Sequence, residues 1–120
     1  MFAMTYQHIQ VSPLTPAIGA VISGVDIAQE LPAAVIAEIR AAWLEHLVVF
    51  FRGQQLTPER LVAFSRRFGQ IGYYPFVAGM AEHPEVVEVL KKEDERINFG
   101  GLWHTDPSYL ERPPMGSVLY

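Results

Sequence analysis

Two stretches with helical patterning bracket a four-residue apolar run, Val48-Val49-Phe50-Phe51. Four apolar side chains in succession leave a strand no polar face, so the run predicts a strand covered on both sides. Upstream, Pro32 suits the first turn of a helix, where its missing N–H costs nothing. Ile36, Ile39, Trp43 and Leu47 then recur at helical spacing, with Glu38, Arg40 and Glu45 on the water side. The spacing predicts a helix from Pro32 to His46. Arg52-Gly53 ends the apolar run. Downstream, Thr57 is a natural N-cap and Pro58 a natural first residue of a second helix. Leu61, Phe64 and Phe68 form its apolar stripe. Arg66 and Arg67 complement the dipole in its last turn, and Gly69 stops it.

The flanking segments read as strands and loops. Tyr6 to Val11 alternates apolar and polar residues and predicts a short strand ended by Ser12-Pro13. Ile18 to Gly24 predicts a second strand, with a turn at Gly24-Val25-Asp26. Residues 70–85 carry Gly72, Pro75, Gly79 and Pro84 and read as loop. Val86 to Leu90 is a strand candidate, and Lys91 to Arg96 a charged turn. Gly116 to Tyr120 reads as a strand beginning with no turn behind it. The expectation is one incomplete domain over residues 1–120, the N-terminal part of a longer protein. The alternative is a naturally short chain ending on an edge strand. The element pattern is α+β.

Composition removes several function classes. Half of the 120 residues are hydrophobic and 18% are charged, which is globular rather than disordered material. The net charge is −4 and the basic residues are scattered, which argues against nucleic acid as a partner. No apolar run approaches the roughly 20 residues of a membrane span, and the first residues lack the basic-then-hydrophobic pattern of a secretory signal. A cytoplasmic location follows by elimination, and a homo-oligomer stays open. There is no cysteine, so thiolate metal sites and disulfides are excluded. A zinc-binding structural module would therefore need more suitably placed histidines than the chain has.

The chemistry concentrates in Gly100-Gly101-Leu102-Trp103-His104-Thr105-Asp106-Pro107-Ser108-Tyr109. In extended backbone, residues two apart point the same way, so an imidazole and a carboxylate converge there. Two histidines and one carboxylate on one face of iron(II) is the pattern of non-haem oxygenases, and this stretch supplies two of the three. The bare His-x-acid pattern is weak: 13 acids in 120 residues produce it by chance. His83-Pro84-Glu85 fits it too and reads as a surface loop. His104 and Asp106 differ in context, with two glycines before them and Trp103 and Tyr109 placed to form a dry wall. On composition alone, a hydrogen-bonded loop histidine and a turn-forming aspartate still explain them better.

A longer ordered set of residues changes that balance. It runs through Ile18-Gly19-Ala20, Ser23-Gly24-Val25-Asp26, Val48-Val49-Phe50-Phe51-Arg52, Leu56-Thr57-Pro58 and Arg67-Phe68-Gly69. It ends in Trp103-His104-Thr105-Asp106, Ser108-Tyr109 and Pro113-Pro114. In this set the chain resembles the taurine/2,4-dichlorophenoxyacetate family of iron(II)- and 2-oxoglutarate-dependent dioxygenases.

The resemblance implies the N-terminal portion of a double-stranded β-helix, a jelly-roll, cupin-like fold with flanking helices. It makes His104 and Asp106 iron ligands, with 2-oxoglutarate and dioxygen as co-substrates. A small organic, anionic substrate would be hydroxylated, with succinate and carbon dioxide released. The family's second histidine ligand and its 2-oxoglutarate arginine come later in the chain; His8, His46 and His83 precede the motif, and Arg112 is too close to Asp106. The 120 residues alone are therefore expected to be inactive. A remnant or interaction module with a two-ligand metal site is the alternative. Where taurine-specific members grip the sulfonate, this chain has Tyr74 and Gly100. Asn98 lies two residues away from the second position, so Tyr74 and Asn98 are the substrate-binding candidates. Tyr74 fits loop packing better, and Trp103 fits core better than substrate platform.

Overall fold

A computed structural model describes residues 5–120. Contacts divide the chain into two compact units, one ending at Gln70 and the other starting at Ile71.

The first unit holds all the regular structure found among the described residues. Its order is β1 (Gln10–Pro13), β2 (Ala20–Ser23), α1 (Ala33–His46), β3 (Val49–Phe51) and α2 (Pro58–Arg66). The sheet order is β1-β2-β3. β1 pairs antiparallel with β2, Val11 opposite Ile22. β2 pairs parallel with β3, Val21 opposite Phe50. A parallel neighbour needs a crossover, and α1 provides it. β1 starts later than its alternation predicts and runs through Pro13. Proline is tolerated there because β1 is an edge strand and needs no outward N–H.

Ala20 and Ile22 of β2 point into the core with Ile36, Ile39 and Ala42 of α1, and Ile9, Ile27, Val62 and Phe64 complete it. Ile22 and Ile39 are its largest fully buried side chains. The helical stripe is rotated from the expected one. Ala42 is buried, Trp43 is half-buried and Leu47 is exposed, because α1 ends at His46. On α2, Val62 and Phe64 are buried and Leu61 is half-buried; Phe68, just past the helix end, is half-buried too. A chain of edge-to-face rings joins α2 to its neighbours: Phe51 to Phe64 at 5.6 Å, Phe64 to Phe68 at 5.1 Å, and Phe68 to Trp43 at 6.1 Å between centroids.

The Val48–Phe51 run is not covered on both faces. Val48 and Phe50 are exposed while Val49 and Phe51 pack against the core, because alternate residues of the run face opposite sides of the sheet. The turn into β3 is tight. Leu47 has φ 66° and ψ −35°, and Val48 N–H donates to the His46 carbonyl at 2.8 Å. That is a γ-turn of the strained, positive-φ kind. The same carbonyl accepts Gly19 N–H at 2.9 Å, tying the turn to the start of β2.

Helix α2 begins as its sequence predicts. Thr57 caps it, accepting from Arg60 N–H at 3.4 Å, with Pro58 first in the helix. Its end differs. Arg67, not Gly69, is the C-cap, and the Arg67 guanidinium donates to the Leu31 carbonyl at 2.8 Å. The residues assigned to the water side of α1 also make long-range bonds. Arg40 donates to the Phe68 carbonyl, Glu38 accepts the N–H groups of Gln7 and His8 at 2.8 and 2.9 Å, and Glu45 accepts the Tyr6 hydroxyl.

In the second unit, neither Val86–Leu90 nor Gly116–Tyr120 forms a strand. A strand exists only through its ladder partner, and no described segment pairs with either one. Local turns hold this unit instead. Met80 N–H donates to the Val86 carbonyl at 2.8 Å and Val86 N–H to His83 at 2.9 Å. Inside this loop, a Cβ on Gly79 would collide with the Pro84 carbonyl oxygen and come within 2.8 Å of Pro84 Cα.

Candidate metal centre

The local backbone around His104 is set by its glycines. Gly100 has φ +67°, a left-handed conformation that disfavours any Cβ. Gly101 N–H donates to the Asn98 carbonyl at 3.1 Å and closes the turn. The chain then brings the Leu102 carbonyl within 2.7 Å of His104 Nδ1. A carbonyl only accepts, so Nδ1 carries a proton and donates it. In the neutral ring this leaves Nε2 as an unprotonated donor atom. Nε2 lies 3.6 Å from Asp106 Oδ1.

This geometry fits a shared cation. Metal–nitrogen and metal–oxygen bonds of about 2.1 Å let one ion touch two atoms separated by up to about 4.2 Å. The 3.6 Å gap lies inside that limit. The ligand types also match, with an imidazole oriented through its other nitrogen beside a carboxylate. A third donor does not join them: no group of three or more His, Cys, Asp or Glu residues suited to a metal occurs among the described residues. The pair is open to solvent, with side-chain exposures of 54% for His104 and 79% for Asp106.

The expected dry wall is not there. Trp103 is fully exposed and Tyr109 is exposed, so Trp103 is not core either. The physical reason is the lack of any helix or sheet in the second unit against which a large ring can pack. The substrate candidates sit in the same unit. Tyr74 stacks edge-to-face on Phe76 at 5.5 Å, and the Asn98 side-chain oxygen accepts from the Lys91 ammonium. His83 is half-buried in the 80–86 turn. The Leu102 carbonyl and the Lys91–Asn98 bond went unread in the sequence. The glycine pair before the motif was the available signal for the first, and nothing local pointed to the second.

Among the described residues, no helix is long and apolar enough to cross a membrane. Residues 10–120 match the model of the family described as taurine catabolism dioxygenase TauD, TfdA. An alkylsulfatase of Acinetobacter baylyi is 35% identical over 114 residues, which is 94% of this chain and 35% of that protein. An alpha-ketoglutarate-dependent sulfate ester dioxygenase of Pseudomonas putida is 32% identical over 113 residues, covering 93% of this chain and 36% of that one. The chain thus spans little more than a third of these relatives' length. Among solved structures, a taurine dioxygenase from Burkholderia xenovorans superposes with a TM-score of 0.60 at 46% identity, over 65% of this chain and 28% of that one. The match of motif, sequence and fold makes the chain a member of the TauD/TfdA dioxygenase family.

Proposed function

We propose that the chain carries two of the three iron ligands, His104 and Asp106, of an iron(II)- and 2-oxoglutarate-dependent dioxygenase with a jelly-roll fold. The observation that carries this reading is the approach of His104 Nε2 to Asp106 Oδ1 at 3.6 Å while Nδ1 is engaged by Leu102. Family membership supports it, as does the 2-oxoglutarate dependence in the name of the Pseudomonas relative. With the metal bound, iron(II) and 2-oxoglutarate supply dioxygen activation for hydroxylating a C–H bond, with succinate and carbon dioxide as co-products.

The chain's own residues have narrower tasks. His104 offers a neutral nitrogen. Asp106 offers a negative charge that offsets part of the cation's. The Leu102 carbonyl holds the imidazole in one orientation. The third ligand and the 2-oxoglutarate arginine are assigned to residues outside these 120. The proposed substrate is a small organic anion. Its head group would meet hydrogen-bond donors from the Tyr74 hydroxyl and the Asn98 amide. That choice is supported by the sulfate ester in the relative's name.

The test is titration of the chain with Mn(II) while following the imidazole proton signals by NMR. The His104 signals should broaden first, and Asp106→Ala should remove that preference. Equal broadening of all four histidines would reject the site. For the longer protein, succinate release across a panel of sulfate esters, sulfonates and carboxylates identifies the substrate.

A further inference from the structure

We infer that Gly100 is a positioning residue: its left-handed backbone brings the Leu102 carbonyl against His104 Nδ1, fixes the proton there and leaves Nε2 bare beside Asp106. The inference rests on the metal role proposed for His104 and Asp106 and assigns what orients them. Three observations carry it. Gly100 has φ +67°, which L residues other than asparagine and aspartate adopt at a cost. His104 Nδ1 lies 2.7 Å from the Leu102 carbonyl, two residues beyond Gly100. A Cβ on Gly100 would stand 3.5 Å from His104 Cε1, so the ring lies directly over the glycine.

The 3.5 Å figure separates two explanations. It is ordinary van der Waals contact, so space alone does not demand glycine. The requirement is conformational. Alanine and asparagine both add a Cβ, but asparagine tolerates positive φ and alanine does not. If Gly100 acts through its backbone, Gly100→Ala disrupts the site and Gly100→Asn preserves it. If Gly100 merely makes room for the ring, both substitutions act alike.

The tautomer matters because a metal takes the unprotonated nitrogen. A neutral imidazole free to exchange tautomers presents Nε2 as a donor for only part of the time. Locking the proton on Nδ1 makes the donor permanent and aims it. Asn98 belongs to the same device, since its carbonyl accepts the Gly101 N–H and holds the turn closed.

The experiment uses the whole chain with ¹⁵N-labelled histidine, at a pH high enough to keep the imidazoles neutral. Long-range proton–nitrogen correlation spectra identify which ring nitrogen of His104 bears the proton. The wild-type chain should show the Nδ1–H form. Gly100→Ala should shift His104 towards the Nε2–H form and weaken Mn(II) binding, read from broadening of the His104 signals, by roughly tenfold. Gly100→Asn should retain the wild-type tautomer and affinity to within about threefold. An Nε2–H tautomer in the wild type overturns the inference, and so do equal effects of the two substitutions. The far-UV helical signal of α1 and α2 reports whether each variant folds. If Gly100→Ala does not, the wild-type tautomer and the asparagine variant still decide. An Nδ1–H tautomer with the expected alanine–asparagine contrast but no selective Mn(II) broadening supports the positioning role and overturns the metal reading alone.

Discussion

The Tyr6 hydroxyl donates to Glu45 Oε2 at 2.8 Å, joining residues 39 apart in the chain. One side of α1 does this twice. Glu38, seven residues before Glu45 and on the same helix face, takes the Gln7 and His8 N–H groups with its two oxygens. The segment before β1 is therefore fastened to α1 by two carboxylates.

This fastening makes stability depend on pH at both ends. Desolvation acts to raise the Glu38 pKa, but the N–H groups of Gln7 and His8 and the His8 imidazole outweigh it, so the value falls below the usual 4.5. A depressed carboxyl stabilises the fold above its unfolded value, and that contribution is lost as pH falls through the folded one. Urea midpoints of the wild-type chain should decline below pH 4.5. The gap between wild type and Glu38→Gln should narrow over the same range. For Tyr6, burial and the Glu45 carboxylate push the hydroxyl up to about 12. A raised group stabilises below its unfolded value, so stability should fall between pH 10 and about 12, and Tyr6→Phe should remove that fall.

Leu47 is a candidate for stabilisation. It holds φ 66° with its side chain 60% exposed, so little burial is lost by replacing it. Relief of the positive φ contributes about 1–2 kcal/mol, and the freer unfolded glycine takes back about 0.5–1 kcal/mol. Leu47→Gly should raise stability by up to about 1.5 kcal/mol. A lower urea midpoint for this variant would mean that the γ-turn is not strained.

Ile39 stands at the centre of the core, 1% exposed between helix and sheet. Ile39→Ala should cost about 2–5 kcal/mol through lost burial and the cavity left behind. Ile18→Ala is the contrast. Ile18 is 48% exposed, and its loss should cost well under half as much. Chemical denaturation of the two variants checks the ranking.

The 120-residue chain should release no succinate from 2-oxoglutarate above background, with or without iron(II). Its metal pair has no third donor among the described residues. Sustained iron-dependent turnover would show that a ligand has been misplaced.

Local signals were readable and long-range ones were not. Thr57 and Pro58 announce the start of α2 because capping uses only neighbouring atoms. The Ile36 and Ile39 spacing announces the buried side of α1 for the same reason. Val86–Leu90 and Gly116–Tyr120 misled, since an apolar run shows that a strand is allowed and says nothing of its partner. The exposure of Phe50 follows from its pointing to the sheet face away from the core, and four apolar letters do not reveal that one face is left uncovered. At the site, the two-residue spacing of His104 and Asp106 was enough to bring them together. The tautomer was hidden because it depends on the backbone angle at Gly100.

The loop closing over Gly79 carries an evolutionary corollary. With Pro84 packed where a side chain would go, drift at position 79 is tied to drift at 80–86. A natural variant with any larger residue at 79 should carry a compensating insertion, deletion or loss of proline within those seven positions.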